Sequence, residues 1–182
     1  MHESLTYSGV HKKSAIAAGV AGISAVAITQ AGAAEKPKGD EAELEKIKKL
    51  LLAHDDAMTK HDLKGALATL DDNAAVMGTG PGEMWQGKDE LKVAYEHFFM
   101  VYDKGEQKYT PKFRVGGLTS EIGWLMTSGN VDGKRDGKEF SYPLNISLTV
   151  DKTGEDWKII AMHFSTLTND KGEKPSQEGT KS

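Results

Sequence analysis

Cysteine is absent from all 182 residues of this chain. Without thiols there is no disulfide to brace the fold, no cysteine nucleophile and no thiolate metal site. A basic excess is missing too: 23 Lys and Arg stand against 27 Asp and Glu, a formal net charge of −4. Nucleic acid and anionic lipid both demand a concentrated basic face, so neither is an expected partner. Long apolar runs are also lacking. The most apolar stretch, residues 14–29, is short and rich in Ala and Gly, and it falls below the roughly 18–20 strongly apolar residues of a membrane span.

That stretch has the marks of an export signal. Lys12 and Lys13 form its positive flank, and Ala31-Gly-Ala33 and Gly32-Ala-Ala34 offer small residues for cleavage. The reading is a signal peptide over residues 1–34, which touches the membrane only in transit, and a mature protein in the periplasm or outside the cell. About 150 residues remain, enough for one ordinary domain. Residues 35–40 read as a charged linker. Residues 169–182 are polar without periodicity and read as a disordered tail.

Between them the pattern changes from helical to extended. Asp40 has the character of an N-cap, with Glu43 as its capping-box partner. Leu44, Ile47, Leu51, His54 and Met58 follow at spacings of three and four, one face of a helix reaching about Lys60. Asp62 can cap a second, short helix through Leu70. Asp71-Asp72-Asn73 reads as a turn before a short strand, residues 74–77. After a glycine-rich segment and a short strand at Trp85, a third helix from Lys88 to about Tyr102 places Leu91, Ala94, Tyr95, Phe98 and Tyr102 on one face. Four strands complete the chain, approximately residues 108–118, 121–131, 138–151 and 157–168. Asp132-Gly133 with Asp136-Gly137, and Lys152-Thr-Gly154, are the hairpin signals.

Alternation sorts the strand faces. Leu144, Ile146, Leu148 and Val150 oppose Asn145, Ser147 and Thr149. On the last strand Trp157, Ile159, Ala161 and His163 oppose Ile160, Met162 and Phe164, which makes both faces apolar. Helices are available for one side only, so the expectation is a homodimer whose second subunit covers the other side.

This succession resembles the nuclear transport factor 2-like superfamily, and within it the SnoaL-like branch that includes ketosteroid isomerase-like proteins. The residues carrying the resemblance are His61-Asp-Leu-Lys-Gly-Ala-Leu67, Gly78-Thr-Gly-Pro-Gly-Glu83, Trp85-Gln-Gly-Lys-Asp-Glu90 and Trp157-Lys-Ile-Ile-Ala-Met-His-Phe-Ser165. It covers residues 41–168. The resemblance implies an α+β fold: three N-terminal helices packed on a curved, mostly antiparallel sheet of four to six strands, enclosing a cone. It does not imply one activity, because such a fold hosts many. Isomerase chemistry of this family needs a carboxylate base, a helical tyrosine and a protonated aspartate on a late strand, an arrangement for which ketosteroid isomerase is the standard example. The resemblance aligns these roles with Gly78, His54 and Asn145. Gly78 has no side chain, so activity of that type is not expected.

A pocket in the cone would be lined by His54, Met58, Met77, Trp85, Tyr95, Asn145 and His163. For His54, a packed histidine bonded to backbone or to Asp55 stands against a polar group orienting a ligand. For His163, a structural hydrogen bond and a pocket role stand level. Gly78-Thr-Gly-Pro-Gly82 lacks the Lys-Ser/Thr of a phosphate loop. His54, Asp55, Asp56, His61 and Asp62 have no ligand spacing, so a metal is not expected; no motif calls for a cofactor. The expected function is binding of a small apolar molecule in the cone; the alternatives are an isomerase, dehydratase or hydrolase using His54 or His163 with Asn145, and a dimeric interaction module with a filled cone. A cavity above about 300 Å³ in the cone favours the first, and a filled cone the last.

Overall fold

A computed structural model describes residues 39–166 of the chain. The signal peptide expected over residues 1–34 and the tail expected over 169–182 lie outside the described residues. The elements run α1 (Gly39–Thr59), α2 (Leu63–Ala68), β1 (Leu70–Met77), β2 (Met84–Gln86), α3 (Gly87–Val101), β3 (Lys108–Leu118), β4 (Ile122–Arg135), β5 (Lys138–Thr153) and β6 (Asp156–Ser165). The expected linker therefore ends earlier than Asp40, because α1 already begins at Gly39. Glu43 is not spent on a capping box. Its carboxylate accepts the Trp157 indole N–H at 2.6 Å and lies 3.3 Å from Lys152, fastening α1 to the start of β6. That hydrogen bond, with Lys46 and Lys152, holds the Glu43 carboxyl down to about 2.

Asp62 caps α2 as expected, its carboxylate accepting the Gly65 N–H at 3.0 Å. Asp71-Asp72-Asn73 is not a turn: it lies inside β1, where the register against β6 shifts between Leu70 and Ala75. Asp132-Gly133 is likewise inside β4. The turn falls at Asp136-Gly137, both with positive φ, the backbone of a tight two-residue hairpin. Gly133 serves packing instead: a Cβ there would stand 2.6 Å from the Phe140 ring and 3.0 Å from the Gln107 side chain.

The six strands form one sheet in the order β2-β1-β6-β5-β4-β3. All neighbours are antiparallel except β1 and β6. The helices cover one face. Against it pack Val76, Leu125, Leu144, Ile146, Leu148, Val150, Trp157, Ile159, Met162 and Phe164, all buried. Simple alternation along β6 fails. Thr149 pairs with Ala161 and Val150 with Ile159, which leaves Ile160 as an extra residue, a β-bulge. The bulge turns Met162 and Phe164 to the same face as Trp157 and Ile159, and sends Ala161 and His163 to the other. The apolar residues of β6 thus serve mainly one face. The case for a covered second face moves to other strands.

Candidate functional site

On the helix side, His54 comes from α1 and Tyr95 from α3. His54 is 0% and Tyr95 1% exposed, and His54 Nε2 and the Tyr95 hydroxyl share a hydrogen bond at 3.0 Å. Their rings meet edge-on, 5.9 Å between centroids. Asp55 is not the partner of His54: the other ring nitrogen, Nδ1, is buried without one. Burial disfavours the imidazolium and pushes His54 down to about 4, and it pushes the Tyr95 phenol up. Both are neutral at pH 7. Met58, Phe98, Leu91, Leu144, Ile146 and Phe164 belong to the same buried core, each under 2% exposed. Between α1 and the sheet, where Ile47, Leu51, Leu148 and Val150 meet, there is a void of about 10 Å³, scarcely room for one water.

The seven residues expected to line one pocket separate onto two sides of the sheet. His54, Met58 and Tyr95 lie buried inside. Trp85, half-buried on β2, packs against the same core. Met77, Asn145 and His163 are exposed on the opposite, open face. There Asn145 donates a hydrogen bond to Ser165 Oγ at 3.4 Å. Asn145 therefore cannot join His54 in one constellation, and the alignment that gave it an isomerase role is not matched by the geometry.

One residue with carboxylate chemistry escaped the sequence reading. Glu83, 6% exposed, stands opposite Gly78 across the β1–β2 hairpin, where the Gly78 N–H donates to the Glu83 carbonyl at 2.8 Å. Its carboxylate accepts the Gly80 N–H at 2.8 Å and fills the space a Gly78 side chain would take. The signal was present: Val76 and Gly78 share the inner face by alternation, and Gly80-Pro-Gly82 reverses the chain so that Glu83 returns opposite Gly78. Among the described residues no group of three or more His, Asp or Glu could hold a metal ion.

The open face is built differently. Cross-strand register places Met84, Met77, His163, Ser147, Met126 and Val115 in one row across all six strands. The next row reads Gln86, Ala75, Ala161, Thr149, Trp124 and Gly117. Phe113 is 75% exposed and Met84 64%, and Met77, Val115, Trp124 and Met126 are exposed beside them. A groove of about 260 Å³ opens over Ala75, Met77, Met84, Ser147, Thr149, Ala161 and His163.

A family model for the SnoaL-like domain matches residues 47–169, more than half of the chain. The chain belongs to the SnoaL-like family. No curated protein matches it. Among solved structures, this SnoaL-like chain is similar to a ketosteroid isomerase-like protein from Erwinia carotovora atroseptica, at 22% identity and a TM-score of 0.55, over 69% of this chain and 97% of that one. It is also similar to a candidate dehydratase of the nuclear transport factor 2-like family from Streptomyces avermitilis, at 12% identity and 0.61, over 70% and 99%. A nuclear transport factor 2-like protein of unknown function from Pseudomonas putida KT2440 is 13% identical, at 0.63, over 74% and 94%. At such identities the likeness establishes the fold.

Proposed function

We propose that this SnoaL-like protein is an exported homodimeric interaction module, joined through the open face of its sheet, with a cone filled by its own side chains. The observation carrying this reading is the contrast between the two faces. The helix side is sealed around His54 and Tyr95, whereas the open side leaves Met77, Met84, Phe113, Val115, Trp124 and Met126 in contact with water, an apolar patch of the kind that marks an interface. Sedimentation equilibrium at micromolar concentration is expected to return twice the chain mass. Met126→Lys, on the exposed face and away from the core, is expected to give a folded monomer. A monomeric wild-type protein would overturn the reading.

One observation favours a second reading, the binding of a small apolar molecule. The groove of about 260 Å³ is apolar with a few polar groups, His163, Ser147 and Thr149, the composition of a ligand site, although smaller than the usual ~300 Å³ minimum. Native mass spectrometry of protein purified from its own host separates the two. A bare dimer supports the module, whereas a retained small molecule lost on Met77→Lys supports the ligand site. An acid–base enzyme working through His54 has the least support, because substrate would need a path to a side chain that is sealed on every described side.

The export component has its own test. N-terminal sequencing of the mature protein is expected to begin near Ala34 or Glu35. An intact Met1 in purified soluble protein would remove export from the proposal.

A further inference from the structure

We propose that Met84, Met77 and His163 form a binding site for copper(I) at the β2 end of the open face. The site is complete within one protomer, so it goes beyond the homodimer proposed above and does not rest on it. Met77 is the shared neighbour: it is the cross-strand partner of Met84 on β2 and of His163 on β6. Residues paired in register point to the same face. Met84 is 64% and Met77 45% exposed, and His163 is exposed beside them. All three line the groove of about 260 Å³. Neighbouring strands lie about 4.8 Å apart, so Met84 and His163 flank Met77 at one strand's distance on either side. A methionine has three rotatable bonds with which to lean over its neighbour, and an imidazole reaches across the same gap. Two thioether sulfurs and one imidazole nitrogen thus converge on a point above Met77.

The donor set decides the ion. Magnesium and calcium take oxygen ligands, and no carboxylate lines the groove. Zinc is held by thiolate, imidazole or carboxylate, of which the groove offers a single imidazole. Thioether sulfur selects soft copper(I), and imidazole suits copper as well. Charge points the same way. The groove is lined without Asp, Glu, Lys or Arg, so a divalent ion would enter with no counter-charge. Ionic desolvation rises with the square of the charge, which favours a monovalent ion among neutral donors. The chain also has no cysteine to draw a soft ion elsewhere. Met126 shares the row but stands two strands beyond His163, about 10 Å away. It is therefore outside the site and serves as a control.

The probe is copper(I) itself, kept reduced by ascorbate without air and offered in competition with the chelator bicinchoninate. Wild-type protein is expected to bind one equivalent per chain. Met77→Leu, Met84→Leu and His163→Gln each remove one donor, and leucine keeps the methionine volume. Each variant is expected to bind at least tenfold more weakly, since loss of even a supporting residue around a metal costs roughly 10–100-fold. Met100→Leu and Met126→Leu remove exposed sulfurs elsewhere and are expected to bind as wild type does. A second measurement needs no variant to fold. Titration of wild-type protein with silver(I), soft and redox-inert, is expected to shift the Met77 and Met84 methyl and His163 ring NMR signals together, with Met100 unmoved. No binding, equal binding by every variant, or silver shifts spread over all methionines would overturn the site. Tighter binding of zinc(II) than of copper(I) would overturn the choice of ion. Binding by the monomeric Met126→Lys alone would mean that a partner covers the donors, and would overturn the site for the assembled protein. The two proposals fail separately: a dimer that binds no copper loses the site, and a monomer that binds it loses only the dimer.

Discussion

Acidification from pH 6.5 to pH 4 is expected to cost the folded protein about 3 kcal/mol, and His54→Gln is expected to remove most of that loss. The cause is burial without a counter-charge. Folded His54 titrates at about 4 instead of 6.5 because its site excludes water. Between these values the unfolded chain takes up a proton that the folded chain refuses. Stability is thus fully present above pH 6.5 and falls as pH drops towards 4. His61, also lowered by burial and by the Lys104 charge, adds in the same direction but is only partly enclosed. Glu43, held down to about 2 from 4.5, acts in a separate window. Its contribution is present above pH 4.5 and lost below it. Glutamine at position 54 can still bond the Tyr95 hydroxyl but does not titrate. Denaturant unfolding across this pH range is the measurement. An unchanged pH slope in His54→Gln, or an imidazole that titrates near 6.5 by NMR, would place His54 in a hydrated pocket and return the ligand-binding reading to the front.

The sequence made most of the elements legible because their signals are local. The i, i+3, i+4 spacing of Ile47, Leu51, His54 and Met58 is a property of one helix, and the Asp62 cap needs only Gly65. What was not legible depends on partners distant in the chain. His54 and Tyr95 are 41 residues apart and Glu43 and Trp157 are 114 apart, so no spacing rule connects them. The bulge at Ile160 was hidden for another reason. Ile-Ile-Ala carries no glycine to mark an extra residue, and a period-two reading continued through it places everything beyond on the wrong face. That one residue explains why His163 was expected beside His54. It also explains why β6 seemed apolar on both sides. The expectation of an uncovered apolar face persists on other grounds, the exposed Phe113, Val115, Trp124 and Met126 of β3 and β4.

The same contrast bears on what this fold can host. An isomerase-type site needs its catalytic groups to converge in a space that a substrate can enter. Here the inner groups are sealed against one another, and Asn145 faces away from them. Aromatic side chains pack between the end of α3 and the sheet. Phe98 touches the Tyr102 ring at 4.8 Å and Tyr102 the Phe140 ring at 5.5 Å, a chain of contacts from α3 to β5. Such packing contributes stability.

Restoring the missing base is accordingly expected to fail. Gly78→Asp places a carboxylate where the family resemblance puts one, but that space belongs to Glu83. A Cβ at Gly78 would stand 2.9 Å from Glu83 Cβ and closer still to its carboxylate. The end of the Glu83 side chain could swing away; its Cβ could not. The hairpin pins that residue, with the Gly78 N–H on the Glu83 carbonyl at 2.8 Å and the Glu83 N–H on the Gly80 carbonyl at 3.1 Å. Overpacking and a second enclosed carboxylate together are expected to destabilise Gly78→Asp by about 3–4 kcal/mol, without any gain of isomerase activity. Glu83→Ala on its own removes the Gly80 hydrogen bond, a loss of about 1–2 kcal/mol. In combination with Gly78→Asp it frees the site, and the double variant is expected to be more stable than Gly78→Asp alone. The measurement is the urea midpoint of the two single variants and the double. If Gly78→Asp lost less than about 1 kcal/mol, Glu83 would not be fixed in the space beside Gly78, and the cone would be more open at that end than its packing indicates.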